Sequence, residues 1–318
     1  MHPDDSISIF GGTGSPYLTT AISEHLGVRQ GEKDVIHFSE GTIFVRIREN
    51  VRGKDIFLVQ STAYPVNDNF MELLFWVDAF RRASAASVTI LVPYFAYAKG
   101  DKKDEPRVSI RARVCADALQ AAGANRIVFL DLHAPQIQGF FTIPVDDLRA
   151  YPTLCKALAK ELDQDSVVVS PDVGFVKTAR SYAETLGLPL AIANKSRKGH
   201  DERAEVYEII GDVKDKTALI VDDFSTTGGT LIEAAKRLRD LGARRIVAAI
   251  THCLFNEEGI AKLEASPIER LYCTDSVESV RAFRSSKLEI VSIAPLLGEA
   301  IRRIHERRSI SVLFESPR

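Results

Sequence analysis

The chain has 318 residues, 45% of them hydrophobic, which is enough for two domains that each bury a core. Its 41 basic and 43 acidic residues leave a formal net charge of -2, which excludes a global nucleic-acid or acidic-partner signature and makes any basic site local. Cys115, Cys155, Cys253 and Cys273 are scattered without a CxxC pair, and no basic segment precedes a long apolar run, so a zinc site, a disulfide framework and a membrane span are not expected and the chain reads as cytoplasmic.

Residues 7–10 read as a first strand and 17–26 as a helix, separated by Gly11, Gly12, Thr13, Gly14, Ser15 and Pro16. This turn lacks the third glycine of GxGxxG, and Ser-Pro is an ordinary helix entry, so a structural turn is the preferred reading. Residues 35–38 and 42–47 form a hairpin turned at Ser39, Glu40 and Gly41, and 56–60 is a buried strand. Residues 67–69 offer caps for a helix over 70–80 that is apolar except at Glu72 and Asp78. Such a helix is covered on more than one side, either within its domain or at a subunit interface anchored by Trp76 or Phe75.

The strand at 88–94 leads into PYFAYAKGDKKDEPR, residues 93–107. Aromatic rings beside Lys99, Lys102 and Lys103 suit a nucleotide, and a solvated charged loop is the equal alternative. Next, ALQAAGANRIVFLDLH (118–133) and RLRDLGARRIVAAITH (237–252) share a helix end, a Gly-Ala turn, Arg-Ile-Val and a closing histidine, with Gly123 and His133 spaced as Gly242 and His252 are. This implies two copies of one α/β unit and two similar domains, 1–150 and 151–318. Asp131 and His133, two apart on a strand, are expected to share a face at its carboxyl end, where they either hold a metal ion and nucleotide or, as is usual for a lone histidine at a strand end, are structural. Imidazole is not the usual ligand of a hard cation. Asp172, after VVVSP, is a carboxylate at an equivalent edge.

In the second half, strands are expected at 166–170, 190–193, 204–210, 218–221, 245–250, 270–273 and 288–293, and helices at 151–162, 174–186, 229–241 and 295–306. This alternation means mainly parallel, doubly wound sheets flanked by helices. NKSRKGHDER, residues 194–203, carries Lys195, Arg197, Lys198, His200 and Arg203 in a loop that either closes over transferring phosphates or is a mobile solvated run.

The stretch TALIVDDFSTTGGT, 217–230, is the most informative. An apolar strand at 218–221 precedes Leu231, Ala234, Ala235, Leu238 and Leu241 at helical spacing, so the loop lies at the carboxyl end of a parallel strand, where open α/β sheets bind ligands. Gly228 and Gly229 let an anion approach the backbone, while Ser225, Thr226, Thr227 and Thr230 add hydroxyls. The loop contains no lysine, which excludes a Walker A site. Asp222 and Asp223 repel a phosphate unless they serve sugar hydroxyls or a bound Mg²⁺, and a sugar phosphate meets both requirements. The plain alternative is a turn capped by Ser and Thr with solvated aspartates.

VDDFSTTGGT resembles the phosphoribosyl-binding loop shared by type I phosphoribosyltransferases and ribose-phosphate pyrophosphokinases. VRGKDIFLVQS (51–61), NDNFMELL (67–74), DKKDEPR (101–107), DLHAPQIQGFF (131–141), VVSPDVG (168–174), GDVKDKTALIVDDFSTTGGT (211–230) and EAIRRIHE near the C-terminus extend the likeness, so that over essentially its whole length the chain is similar to the ribose-phosphate pyrophosphokinase family. The resemblance implies an α/β fold of two tandem type I phosphoribosyltransferase-like domains, the first for nucleotide and oligomer contacts and the second for ribose 5-phosphate. It also implies Mg²⁺-dependent transfer of the pyrophosphoryl group of ATP to the C1 hydroxyl of ribose 5-phosphate, giving phosphoribosyl pyrophosphate and AMP.

Residue by residue, the resemblance puts ribose 5-phosphate on Asp222, Asp223, Ser225, Thr226, Thr227, Gly228, Gly229 and Thr230. It puts ATP on Phe38, Glu40, Lys99, Gly100, Asp104 and His133, and the metal on Asp131, His133 and Asp172. Lys195 and Arg197 match the family's catalytic lysine and arginine on a flexible loop. A homo-oligomer built from dimers, with the nucleotide between subunits, is implied as well. The chain departs from the family at Thr226, often acidic, at Lys99-Gly100, usually Arg-Gln, and at Thr42, frequently Glu, which predicts altered ribose contacts and nucleotide preference. A catalytically silent regulatory paralogue and a transferase acting on a base are the rival readings, and sugar-dependent AMP release distinguishes them.

Overall fold

The computed structural model describes the backbone of residues 7–197, 205–282 and 284–314, and their side chains except at 194–197, 205–207, 281 and 282. The chain forms two compact units, one comprising Met1–Arg149 with Ser276–Glu278 and Ser292–Glu315, the other chiefly Ala150–Asp275 and Ser279–Val291.

The first unit contains β1 (Ile7–Gly11), β2 (Lys33–His37), β3 (Ile43–Ile47), β4 (Asp55–Val59), β5 (Ser87–Val92), β6 (Arg126–Leu130) and β7 (Val145–Leu148), with α1 (Pro16–Leu26), α2 (Val66–Arg82) and α3 (Arg111–Ala122). Five strands pair in parallel in the order β1-β4-β5-β6-β7, while β2 and β3 form a separate antiparallel hairpin. All five residues of β1 are buried, as a strand covered on both faces requires.

On α2, Leu73, Trp76, Val77 and Phe80 recur at helical spacing and are all buried. The Phe80 ring lies 4.7 Å from Phe10 and 5.6 Å from Trp76, and burying a side chain such as Phe80 stabilises the fold by about 1.5–3 kcal/mol. Trp76 therefore belongs to the interior and is not a surface anchor, whereas Phe75 is 38% exposed. The helix starts earlier than expected, at Val66, and Asn69 does not cap it: its buried amide instead donates to the Ala63 carbonyl at 2.8 Å.

Glu72 is fully buried beneath the turn after β1. Its carboxylate accepts from Trp76 Nε1 and the Thr13 amide, both at 3.0 Å, and from the Thr13 hydroxyl. The amides of Tyr17 and Leu18, at the start of α1, donate to Glu278 at 3.1 and 2.7 Å. The protein's own carboxylates thus engage donors that an anion would need, which bears out the structural reading of GGTGSPY.

The second unit contains β8 (Ser166–Ser170), β9 (Leu190–Arg197), β10 (Glu205–Ile210), β11 (Thr217–Ser225), β12 (Arg245–Cys253), β13 (Arg270–Thr274) and β14 (Leu288–Val291) in the order β10-β9-β8-β11-β12-β13-β14. β9 and β10 pair antiparallel and the other pairs are parallel. Its helices are α4 (Tyr151–Leu158), α5 (Val176–Leu186), α6 (Gly229–Asp240) and α7 (Glu257–Glu264). The sequence did not announce α7, which is capped by Asn256 Oδ1 accepting the Gly259 amide at 2.9 Å. The last helix, α8 (Ala294–His305), belongs to the first unit, where His305 Nδ1 lies 3.0 Å from Asp55 Oδ2, so the units are not the two uninterrupted halves of the chain.

The two-copy architecture holds, but in a different register from the one the sequence suggested. The segments 118–133 and 237–252 carry β6 and β12; counted across the sheet from the first strand of each unit, β1 and β8, these are fourth and third. Their likeness is that of any helix, left-handed glycine turn and buried strand, with Gly123 at φ 115°. The topological counterpart of β11 is β4. Among the described residues no helix is long and apolar enough to cross a membrane.

Candidate active site

The site is built around the end of β11. β12 pairs with β11 from Thr217 to Ser225, whereas β8 pairs with it only from Thr217 to Ile220. The strand runs four residues beyond the expected end at Val221, because β12 continues the ladder past the point where β8 stops. Asp222 and Asp223 thus lie on a strand end, and both are partly buried. Each carboxylate accepts the next backbone amide: Asp222 from Asp223 and Asp223 from Phe224, both at 2.9 Å. Burial, and then the negative charge of Asp223, push the Asp222 carboxyl up to about 8, with Asp172 adding to the same effect.

Beyond the strand, Ser225 Oγ accepts the Gly228 amide at 3.1 Å and closes the loop. Gly228 has φ 76°, a left-handed backbone that favours glycine, and a Cβ there would sit 3.1 Å from both Ile232 Cδ1 and Phe255 Cζ, which would have to give way slightly. Thr226, Thr227, Gly229 and Thr230 are exposed, and α6 begins at Gly229 with no acidic residue in its first turn. First-turn amides have no intrahelical acceptor, so this end is positive and open to an anion. Asp172 follows β8, where its Oδ1 accepts the Phe175 amide at 2.9 Å and its carbonyl accepts from Ser170 Oγ at 2.7 Å.

Lys195 and Arg197 lie on β9, opposite Tyr207 and Glu205 of β10, and not on the loop expected at 194–203. The antiparallel ladder with β10 keeps the backbone extended through Arg197. Their side chains fall outside the described residues, as do Lys198, His200 and Arg203 entirely.

In the first unit the β2–β3 hairpin turns as expected, with Phe38 N–H to the Thr42 carbonyl and Gly41 N–H to the Phe38 carbonyl, both at 2.9 Å. Phe38 is 46% exposed. Thr42 Oγ1 donates to Glu40 at 2.7 Å, which holds the Glu40 carboxyl below its usual range. Lys99 is exposed and Gly100 buried; a Cβ on Gly100 would lie 2.6 Å from Arg111 Nε, so the arginine occupies the space a side chain would take. Asp104 faces Lys102 at 3.8 Å in an exposed pair.

The expectation that Asp131 and His133 share a strand face is overturned. β6 ends at Leu130, and Asp131 has φ 42°, a left-handed conformation that breaks the alternation. Asp131 is buried and His133 is exposed. Among the described residues no group of three or more His, Cys, Asp or Glu is placed to hold a metal ion.

Two residues that sequence reasoning missed support Asp131. Arg149 Nη2 lies 2.9 Å from Asp147 Oδ2, and its Nη1 lies 3.5 Å from Asp131 Oδ1. Asp147 is 2% exposed and also accepts the Leu132 amide at 2.9 Å. Burial pushes its carboxyl up to about 6, against the opposing pull of Arg149. The signal in the sequence was VDDLR before 150, readable only once β7 is recognised as a strand.

Profiles of two families match the chain: the N-terminal domain of ribose phosphate pyrophosphokinase over residues 7–123, and the phosphoribosyl synthetase-associated domain over residues 202–315. The ribose-phosphate pyrophosphokinase of Caldanaerobacter subterraneus subsp. tengcongensis is 49% identical over 311 residues, covering 98% of each chain. That of Thermotoga maritima is 43% identical over 317 residues, 99% of this chain and 100% of its own. Among solved structures, the phosphoribosylpyrophosphate synthetase from Mycobacterium smegmatis matches with a TM-score of 0.89 at 38% identity, covering 95% of this chain and 99% of that one.

Proposed function

The chain belongs to the ribose-phosphate pyrophosphokinase family, and on that premise we propose that the β11–α6 loop is its ribose 5-phosphate site. The enzyme transfers the pyrophosphoryl group of ATP to the C1 hydroxyl of ribose 5-phosphate, giving phosphoribosyl pyrophosphate and AMP. The hydroxyl oxygen bonds to the β-phosphorus and gives up its proton to solvent, the bond from that phosphorus to the α–β bridging oxygen breaks, and AMP leaves with the bridging oxygen.

One observation carries the site assignment: two adjacent, partly buried carboxylates run directly into an open helix start. Asp222 and Asp223 accept from ribose hydroxyls, while Ser225, Thr226, Thr227, Gly228, Gly229 and Thr230 hold the 5-phosphate with hydroxyls and amides. ATP lies against Phe38, Glu40, Lys99, Gly100, Asp104 and His133, with Phe38 offering an exposed ring to the base. Lys195 and Arg197 neutralise charge on the transferring group.

The divalent cation is Mg²⁺, toward which Asp131, His133 and Asp172 contribute. The donor chemistry fits: Asp131 and Asp172 offer the carboxylate oxygens that a hard cation prefers. Nucleotide phosphates and water would supply the remaining oxygens, as is usual for this ion. When bound, Mg²⁺ offsets the charge of the β- and γ-phosphates. The first unit provides nucleotide and oligomer contacts, the second provides the sugar site, and the protein works in the cytoplasm as a homo-oligomer built from dimers.

The test is product analysis with ATP and Mg²⁺, with and without ribose 5-phosphate, on the wild type and Asp223→Ala. Sugar-dependent AMP in equal amount to phosphoribosyl pyrophosphate is expected, with the variant needing far more sugar. An unchanged sugar requirement in the variant would sink the site assignment.

A further inference from the structure

Gly100 is buried although it ends the short 3₁₀ turn Ala96–Gly100 and leads into an exposed, charged loop. Lying over it is the side chain of Arg111, the first residue of α3. A Cβ built on Gly100 would stand 2.6 Å from Arg111 Nε, 2.9 Å from its Cβ and 3.3 Å from its Cζ, so the arginine runs along the Gly100 backbone from its base to its guanidinium. Any larger residue at position 100 would have to displace it. Glycine at 100 and arginine at 111 are therefore one arrangement, in which a guanidinium takes the space of a side chain next in the chain to Lys99.

Among the described residues nothing pairs with that guanidinium: the Arg111 side chain makes no hydrogen bond or ion pair, whereas Arg113, two residues on, holds Asp117 at 2.9 Å. The first turn of α3 contains no acidic residue to balance Arg111, and a cation at a helix start opposes the helix dipole. The position thus costs the fold something and returns no internal contact. Arg111 is exposed, as are Lys99, Lys102 and Lys103 on the loop that approaches it. Such a gathering of positive charge suits an anion arriving from outside.

We propose that Arg111 binds the triphosphate of ATP and supplies there the planar, two-pronged donor that Lys99 lacks. This rests on ATP lying against Lys99, Gly100 and Asp104, as proposed above. An ammonium meets a phosphate as a point charge, whereas a guanidinium donates two parallel N–H bonds to two of its oxygens. Gly100 then serves the site by leaving room for Arg111.

The experiment is calorimetric binding of α,β-methylene-ATP with Mg²⁺ to the full-length protein, since the methylene bridge replaces the oxygen at which ATP is cleaved. Arg111→Ala is expected to weaken binding about 10-fold, the lower end for hydrogen bonds between charged groups because the site is open to water. Arg111→Lys, which keeps the charge and loses the fork, is expected to weaken it about threefold. Ribose 5-phosphate should bind both variants as it binds the wild type. Thermal melts of Arg111→Ala should show no lower Tm, because a cation leaves a helix start and a good helix former enters. A lower Tm with weakened binding of both substrates would make Arg111 structural and overturn the proposal. AMP, with a single phosphate, should lose far less affinity than the triphosphate analogue; equal losses would place the guanidinium on the base and overturn it too. So would unchanged analogue binding in Arg111→Ala. Lys99→Ala separates the two levels: no loss of analogue binding there removes the ATP placement and the proposal with it. A loss there with none in Arg111→Ala removes the proposal alone.

Discussion

The loops after β4 and after β11 hold the same place in their units, each following the strand that pairs in parallel with the unit's first strand, β1 or β8, yet their chemistry is opposite. After β4, Gln60, Ser61 and Thr62 are fully buried. Ser61 Oγ donates to the Ser276 carbonyl at 2.5 Å, Thr62 Oγ1 to the Tyr94 carbonyl at 3.1 Å, and Gln60 Nε2 to the Asn69 carbonyl at 3.1 Å. After β11 the hydroxyls of Thr226, Thr227 and Thr230 face solvent, the carboxylates crowd one another, and the helix start is uncapped by acid. A strand end in this fold is a location for a site; hydrogen-bonding capacity left unspent makes it one.

The largest expected effect separates chemistry from binding. Lys195→Ala should lower kcat by about 100- to 1,000-fold while ribose 5-phosphate still binds, measured by rapid-quench turnover and calorimetry. Equal loss of both would move the lysine into the binding loop's role. Next, Asp223→Ala should raise KM for ribose 5-phosphate by about 10- to 100-fold, as loss of hydrogen bonds to a charged acceptor implies. The matching change in the saturated loop, Ser61→Ala, should leave KM alone and lower Tm by about 2–4 °C through one lost buried hydrogen bond. A KM effect in Ser61→Ala would erase the contrast between the loops.

Gly228→Val should weaken ribose 5-phosphate binding about tenfold, since a left-handed β-branched residue costs roughly 1–2 kcal/mol and would press on Phe255. A last effect, on stability and not on turnover, concerns pH. The Asp222 carboxyl is raised from 3.8 to about 8, so its contribution is complete below pH 4 and is lost as pH rises through 8. Asp222→Asn should therefore match the ligand-free wild type near pH 4 and melt several degrees above it at pH 8, in scanning calorimetry. A pH-independent difference would mean that the crowding of charge is relieved some other way.

Alternation of short apolar runs with amphipathic segments was enough to identify an α/β chain, because strand burial and helical spacing are properties of a dozen neighbouring residues. The same locality made TALIVDDFSTTGGT readable: strand, acidic pair, hydroxyls, glycine and helix follow one another without interruption. The β2–β3 hairpin and the ordinary nature of GGTGSPY were legible for the same reason. Strand ends were not, since β11 reaches Ser225 and β9 reaches Arg197 only because a partner strand continues alongside.

What the tertiary structure decided are relations between distant residues. Local pattern cannot show that Glu72 receives Thr13, that α8 joins the first unit, or that Asp147 and Arg149 stand behind Asp131. Polar residues on a buried helix or a short edge strand look like interruptions until their partners are brought to them. The sequence by itself determined the kind of fold and the family, because their signals are contiguous. Which carboxylates are buried, balanced or exposed was settled by packing, since desolvation and charge pairing depend on neighbours that only the folded chain supplies.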